Sequence, residues 1–88
     1  MNLMEVAARL RRVAGVRDVW VGTSDGSEPV LGAVVVSERS VAELRAELLT
    51  DTAAWKVPKR WAVVRELPLT ARGKTDAGAL RARVFGPA

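Results

Sequence analysis

Residues 30 to 36, Val-Leu-Gly-Ala-Val-Val-Val, form a nearly unbroken apolar run, and no other segment constrains the fold as strongly. The run is far short of the roughly 18 residues that a membrane span requires. A half-solvated strand would alternate polar and apolar side chains, and an amphipathic helix would interrupt the run every few positions. This segment does neither. It reads as a β-strand covered on both faces, so the rest of the chain has to provide the cover.

The flanking sequence supplies candidates. Asn2 with Glu5 three residues later has the form of a capping box, and Leu3, Val6, Leu10 and Val13 follow at helical spacing. Gly15 is positioned to end that helix. Residues 16 to 23 read as a strand, and Ser24-Asp25-Gly26-Ser27 as a turn. Ser40 and Glu43 form a second capping box ahead of Val41, Leu44 and Leu48. Residues 61 to 64 read as a short strand, and residues 76 to 84 as a helix with Ala77, Leu80 and Val84 on one side. The expected fold class is α+β: a small three-stranded sheet packed with three helices, in the order helix-strand-strand-helix-strand-helix. With no internal repeat, low-complexity stretch or linker, residues 1 to 88 are expected to be one domain. The first helix starts almost at the first residue, as if something upstream had been removed.

Composition excludes much chemistry. The 88 residues contain no Cys and no His, which removes disulfides, thiolate nucleophiles, cysteine-ligated zinc and the usual neutral-pH general base. No metal site is expected. No signal peptide or membrane-length apolar stretch is visible, so a cytoplasmic protein without a membrane partner is expected. The formal charge of +4 is unevenly spread. Residues 1 to 55 carry six basic and eight acidic side chains, whereas residues 56 to 88 carry eight basic and two acidic ones. The last third therefore suits an anionic partner.

That basic third contains Leu67-Pro68-Leu69-Thr70-Ala71-Arg72-Gly73-Lys74-Thr75-Asp76, the one segment that combines a proline, a glycine and a placed charge. Gly73-Lys74-Thr75 invites comparison with the phosphate-binding loop G-x-x-x-x-G-K-[ST]. Pro68 stands where the first glycine should be, and proline has neither the N–H nor the conformational freedom that loop uses. If this chain performs chemistry, Lys74 is the residue to carry it. A cation just before a helix N-terminus is not favoured by the helix dipole, which points to a functional reason for its presence.

Several segments, taken in order, resemble the C-terminal domain of the acyl- and aryl-adenylating enzymes. That superfamily includes acyl-CoA synthetases, nonribosomal peptide synthetase adenylation domains and firefly luciferase. Met1-Asn2-Leu3-Met4-Glu5-Val6 resembles the domain's first helix, and Gly15-Val16-Arg17-Asp18-Val19 its strand entry. Ala54-Trp55-Lys56-Val57-Pro58-Lys59 resembles the family's aromatic-Lys-x-Pro segment, and residues 67 to 76 its last core motif. The likeness covers essentially the whole chain.

The resemblance implies that Lys74 bridges the substrate carboxylate and the α-phosphate of ATP during adenylation. A compact positive charge is wanted where a carboxylate approaches a polyanion. Pro68, Thr70, Gly73 and Asp76 would shape the loop, with Gly73 letting the backbone turn closely beside the ligand. The family's C-terminal domain then swings and helps form the channel for coenzyme A or a carrier-protein phosphopantetheine. Trp55, Lys56, Lys59 and Arg60 are the candidates for that acceptor face, with Trp55 either stacking on the acceptor or filling the core. ATP and its magnesium would sit on an N-terminal adenylation domain, which the chain lacks together with the hinge. It is expected to be a C-terminal lid domain, inactive alone, working with such a domain in the same or another polypeptide. One departure from the family pattern is Ala77, where an arginine is frequent.

A different class of function is a binding or regulatory module without chemistry, docking on a carrier protein or a full-length synthetase. A nucleic-acid partner is prompted by the basic third alone. One Phe, no Tyr and no recognisable nucleic-acid motif argue against it.

Overall fold

The computed structural model describes residues 2–50, 52–53 and 56–86. The element order is α1 (Leu3–Arg11), β1 (Val16–Thr23), β2 (Leu31–Ser37), α2 (Val41–Leu49), β3 (Arg60–Val64) and α3 (Ala77–Phe85). This is the α+β arrangement expected from the sequence.

The apolar run becomes the central strand. The sheet order is β1-β2-β3, with β1 antiparallel to β2 and β2 parallel to β3. All seven residues of β2 are buried. A parallel neighbour requires a crossover, and α2 provides it between β2 and β3. One face of the sheet packs on α1 and α2 through Val6, Leu10, Leu44 and Leu48 against Ala33 and Val35. The other face carries α3, whose Leu80 and Val84 cover Val34 with Trp20, Ala62, Val64, Leu67 and Phe85 around them. Alternate residues of β2 thus serve opposite cores, which explains why the run contains no polar position.

The caps follow from side-chain chemistry. Asn2 Oδ1 accepts from the Met4 amide at 2.9 Å, and Ser40 Oγ from the Glu43 amide at 3.2 Å. The Ser40 hydroxyl also donates to Glu43 Oε1 at 3.2 Å. Gly15 does not end α1, however. The helix stops at Arg11 and closes with Arg12 N–H to Arg9 O and Val13 N–H to Leu10 O, both 3.1 Å. Gly15, at φ +87°, instead turns the chain into β1.

That turn is held by a contact far away in sequence. Arg39 donates to Ala14 O at 2.6 Å and to Glu47 Oε1 at 3.2 Å, while Glu47 Oε2 accepts from the Ala14 amide at 3.1 Å. The pair satisfies both main-chain groups of Ala14 and fastens α2 to the α1–β1 connection.

α3 reaches the sheet because residue 32 is glycine. A Cβ there would lie 2.5 Å from Val84 Cγ1 and 2.8 Å from the Phe85 ring. Gly32 is paired with Arg60, so the C-terminal end of α3 sits at the start of β3. The N-terminal end of α3, with the loop that precedes it, lies at the opposite end of the sheet.

The lysine ribbon and the surfaces around it

Residues 68 to 76 fold as a miniature two-stranded ribbon. The Asp76 amide donates to Pro68 O at 2.9 Å, Leu69 and Thr75 pair in an antiparallel bridge, and the Thr70 amide donates to Lys74 O at 2.7 Å. The tip closes with Gly73 N–H to Thr70 O at 2.9 Å. Thr70 Oγ1 accepts from the Lys74 amide at 3.3 Å, so Thr70 holds the main chain of Lys74 from both sides. Gly73 has φ +82°, a conformation that costs any L side chain. Nothing lies within 4 Å of where its Cβ would be, so within this chain the backbone angle, not crowding, calls for glycine.

Asp76 joins the ribbon to α3. Its carboxylate accepts from the Ala79 amide at 3.1 Å, and its ψ of 89° is not helical. It is the N-cap, and α3 starts at Ala77, one residue later than the sequence pattern suggests. Leu80 then anchors the helix in the sheet. The main chain at Lys74 is therefore positioned by the ribbon's own hydrogen bonds and by the docking of α3. The side chain of Lys74 is exposed, and its ammonium has no ion pair or hydrogen bond among the described residues. The ribbon can offer a charge to an anion held elsewhere; its Pro68 and Leu69 line a groove with α3 that Lys74 does not line.

The residues expected on an acceptor face do not all come together. Lys59 and Arg60 are exposed at the start of β3, where the Lys59 amide donates to Leu31 O at 2.9 Å. Lys56 turns toward α1, with Nζ 3.7 Å from Glu5 Oε1. It helps line a cavity of about 150 Å³ with Asn2, Val6, Arg9, Leu48 and Thr52. Trp55 lies outside the described residues. Of the other tryptophans, Trp61 donates to Pro58 O at 2.7 Å and packs on the α1/α2 side, while Trp20 packs on the α3 side. Lys59 and Arg60 are separated from the lysine ribbon by the length of β3, about 13 Å from its first residue to its last.

Among the described residues there is no cluster of three or more metal-binding side chains, and no helix is long and apolar enough to cross a membrane. The residues that sequence reasoning missed as a group are Arg17, Ser37, Glu38 and Arg65, which line a groove at the lysine end of the sheet.

This fold occurs in known proteins. Residues 5–74 match the model of the AMP-binding enzyme C-terminal domain. The chain is 37% identical over 86 residues to tyrocidine synthase 3 of Brevibacillus parabrevis, covering 93% of this chain and 1% of that protein. It is 36% identical over 83 residues to 2-succinylbenzoate–CoA ligase of Listeria monocytogenes, covering 90% of this chain and 18% of that one. A holo four-domain nonribosomal peptide synthetase bound to AMP and glycine superposes with a TM-score of 0.78 at 29% identity, covering 90% of this chain and 6% of that structure. The chain belongs to the AMP-binding enzyme C-terminal domain family, the C-terminal domain of the adenylate-forming ligases. It spans less than a fifth of the length of each of these relatives.

Proposed function

We propose that this chain acts as the C-terminal subdomain, or a discrete subunit, of an ATP-dependent carboxylic acid ligase, and that Lys74 is its adenylation lysine. The observation that carries the reading is the state of Lys74: an uncompensated ammonium, on a hydrogen-bonded ribbon, inside the segment that the family model matches. In the reaction, a carboxylate oxygen bonds to the α-phosphorus of ATP and the bond to the leaving pyrophosphate breaks. Two anions must approach one another for this to happen. A cation placed beside both oxygen groups lowers that repulsion most where the charges crowd together, and a hydrogen-bonded ribbon fixes the main chain that carries it. Lysine suits the position because its point charge sits on a flexible stem.

The residues described here fit one end of such a complex. An ammonium can meet the phosphate of ATP, and among the described residues no acidic cluster is available for magnesium, which the partner adenylation domain would hold. Lys59 and Arg60 lie at the other end of β3, so a turn of the domain would exchange one cationic surface for the other. That separation supports Lys59 and Arg60, rather than Lys56, as the surface offered to coenzyme A or a carrier-protein phosphopantetheine. A cytoplasmic location agrees with the supply of these substrates.

ATP–pyrophosphate exchange tests the reading, with this chain mixed with an adenylation domain lacking its own C-terminal part and a panel of carboxylic acids. Exchange should require both polypeptides and disappear in Lys74→Ala, with the amide spectrum of the variant unchanged. Exchange that persists in a folded Lys74→Ala variant would leave a binding module without chemistry as the better reading.

A further inference from the structure

The start of β1 and the end of β2 are out of step. Val16 faces Ser37 and Asp18 faces Val36, which leaves Arg17 without a cross-strand partner. A bulge of this kind bends its strand and re-aims the extra side chain. On the far side of β2, β3 ends with Val64 opposite Val36, and Arg65 follows directly. Arg17, Ser37, Glu38 and Arg65 consequently line one groove of about 550 Å³. It opens at the carboxyl ends of the parallel strands β2 and β3.

Neither guanidinium in this groove makes an ion pair among the described residues. Arg9, Arg11, Arg39, Lys56 and Arg81 each have a carboxylate within ion-pair distance. Arg17 and Arg65 are exposed and pair with no carboxylate among the described residues, although Glu38 lines the same groove. Ser37 is only 5% exposed, and its Oγ accepts from the Arg39 amide at 3.0 Å. Its hydroxyl proton has no acceptor among the described residues. Two guanidiniums and one hydroxyl against one carboxylate leave the groove cationic and rich in donors. Guanidinium forks match the oxygen geometry of a phosphoryl group, and the hydroxyl adds a third contact.

We propose that Arg17, Ser37 and Arg65 form a phosphoryl-binding site, separate from Lys74 but at the same end of the sheet. The site stands on the geometry of this chain; only the choice of source rests on the adenylation reading. Under that reading the phosphoryl group comes either from pyrophosphate leaving the nucleotide or from the 3′-phosphate of coenzyme A.

The experiment is an amide chemical-shift titration of the full 88-residue chain at fixed ionic strength, with pyrophosphate, coenzyme A and dephospho-coenzyme A. Saturable shifts centred on Arg17, Ser37, Glu38 and Arg65 are expected with pyrophosphate or with coenzyme A. The double variant Arg17→Ala/Arg65→Ala should weaken that binding at least about tenfold. Arg12→Ala/Arg45→Ala removes the same charge elsewhere and should change it less than about twofold. Glu38→Gln should tighten it, because a like charge leaves the groove. Tighter binding of pyrophosphate points to the nucleotide as source; preference for coenzyme A over dephospho-coenzyme A points to the acceptor. Lys74→Ala should leave the shifts in place, which separates failure of this site from failure of the adenylation reading. The site is overturned by shifts that do not saturate, by equal losses in the two double variants, or by weaker binding in Glu38→Gln.

Discussion

The two faces of the sheet are built to different depths. Among the described residues, ten buried apolar side chains cluster in the core that α1 and α2 form, whereas the cluster beneath α3 has three, Val34, Leu80 and Val84. Burial stabilises at about 25 cal/mol per Å² of apolar surface, so the first face carries most of what holds the fold together. The second face carries the lysine ribbon. The proposed chemistry is therefore fastened to the thinner half, held by one helix of nine residues and a glycine that admits it. Segments with few buried contacts open first, which under the proposed function suits a part that meets and leaves a partner's bound ligand.

The sharpest way to break this comparison is to make the same deletion on both faces. Leu44 and Leu80 are 0% and 1% exposed, so their side chains start from equivalent burial. Leu44→Ala should cost about 3–5 kcal/mol, because the thick core cannot collapse around the lost atoms. Chemical denaturation would read it as a large fall in midpoint or as a chain that no longer folds. Leu80→Ala should cost about 2–4 kcal/mol, since the thinner layer can settle onto Val34. Hydrogen exchange separates the two more clearly than the midpoints do. In Leu80→Ala, α3 amides should lose protection while those of α2 and β1 keep theirs. Equal loss in all three would mean that the faces unfold as one unit and that the division drawn above is wrong.

These elements were legible in the sequence to unequal degrees. The doubly covered strand could be read directly, because alternate residues of β2 serve different cores and both sets must be apolar. Both N-caps were legible for a local reason, since an Asn or Ser oxygen satisfies a helix amide two or three residues on. Among the described residues, however, neither glutamate closes a reciprocal box: Glu5 faces Arg9 and Lys56, and Glu43 meets the Ser40 hydroxyl. Parallel pairing of β3 was not legible, since nothing in Arg60–Val64 distinguishes a parallel from an antiparallel neighbour. The clamp of Arg39 and Glu47 on Ala14 was hidden too, because its partners lie 25 and 33 residues away. The bulge at Arg17 depends on how β1 slips against β2, and so the groove with Arg65 has no sequence signature. Lys56 shows the same limit: it neighbours Lys59 in sequence, yet its side chain turns to Glu5 of α1. At the site, the residue types of the ribbon were readable, but the double grip of Thr70 on Lys74 appears only in the folded ribbon.

Within the thinner half, the ribbon and the helix can be tested apart. Gly73→Ala forces an L side chain to φ +82°, and with open space around the site the cost is backbone strain alone, about 1–2 kcal/mol. Gly73→Asn should recover part of that, because asparagine tolerates the left-handed region better than alanine does. If alanine were as stable as asparagine here, the ribbon would have relaxed to another turn. The Thr70–Lys74 hydrogen bonds would then not be what positions the lysine.

Asp76→Ala should have the smallest effect of the set, about 1 kcal/mol, because it removes one capping bond from the Ala79 amide. Its position makes it informative despite its size. The amide of Asp76 closes the ribbon on Pro68 O, while its side chain caps α3. The substitution leaves the main-chain bond in place and removes the cap, so it loosens the helix end without opening the ribbon. Exchange protection should fall at Ala79 and persist at the amides of Thr70 and Asp76. Asp76→Asn should restore most of the loss, since an amide oxygen caps almost as well as a carboxylate. If Asp76→Ala also exposes the Thr70 amide, the ribbon depends on the helix beneath it. The lysine would then be positioned by α3 docking alone, and the thin face would have to be treated as a single element from Pro68 to Phe85.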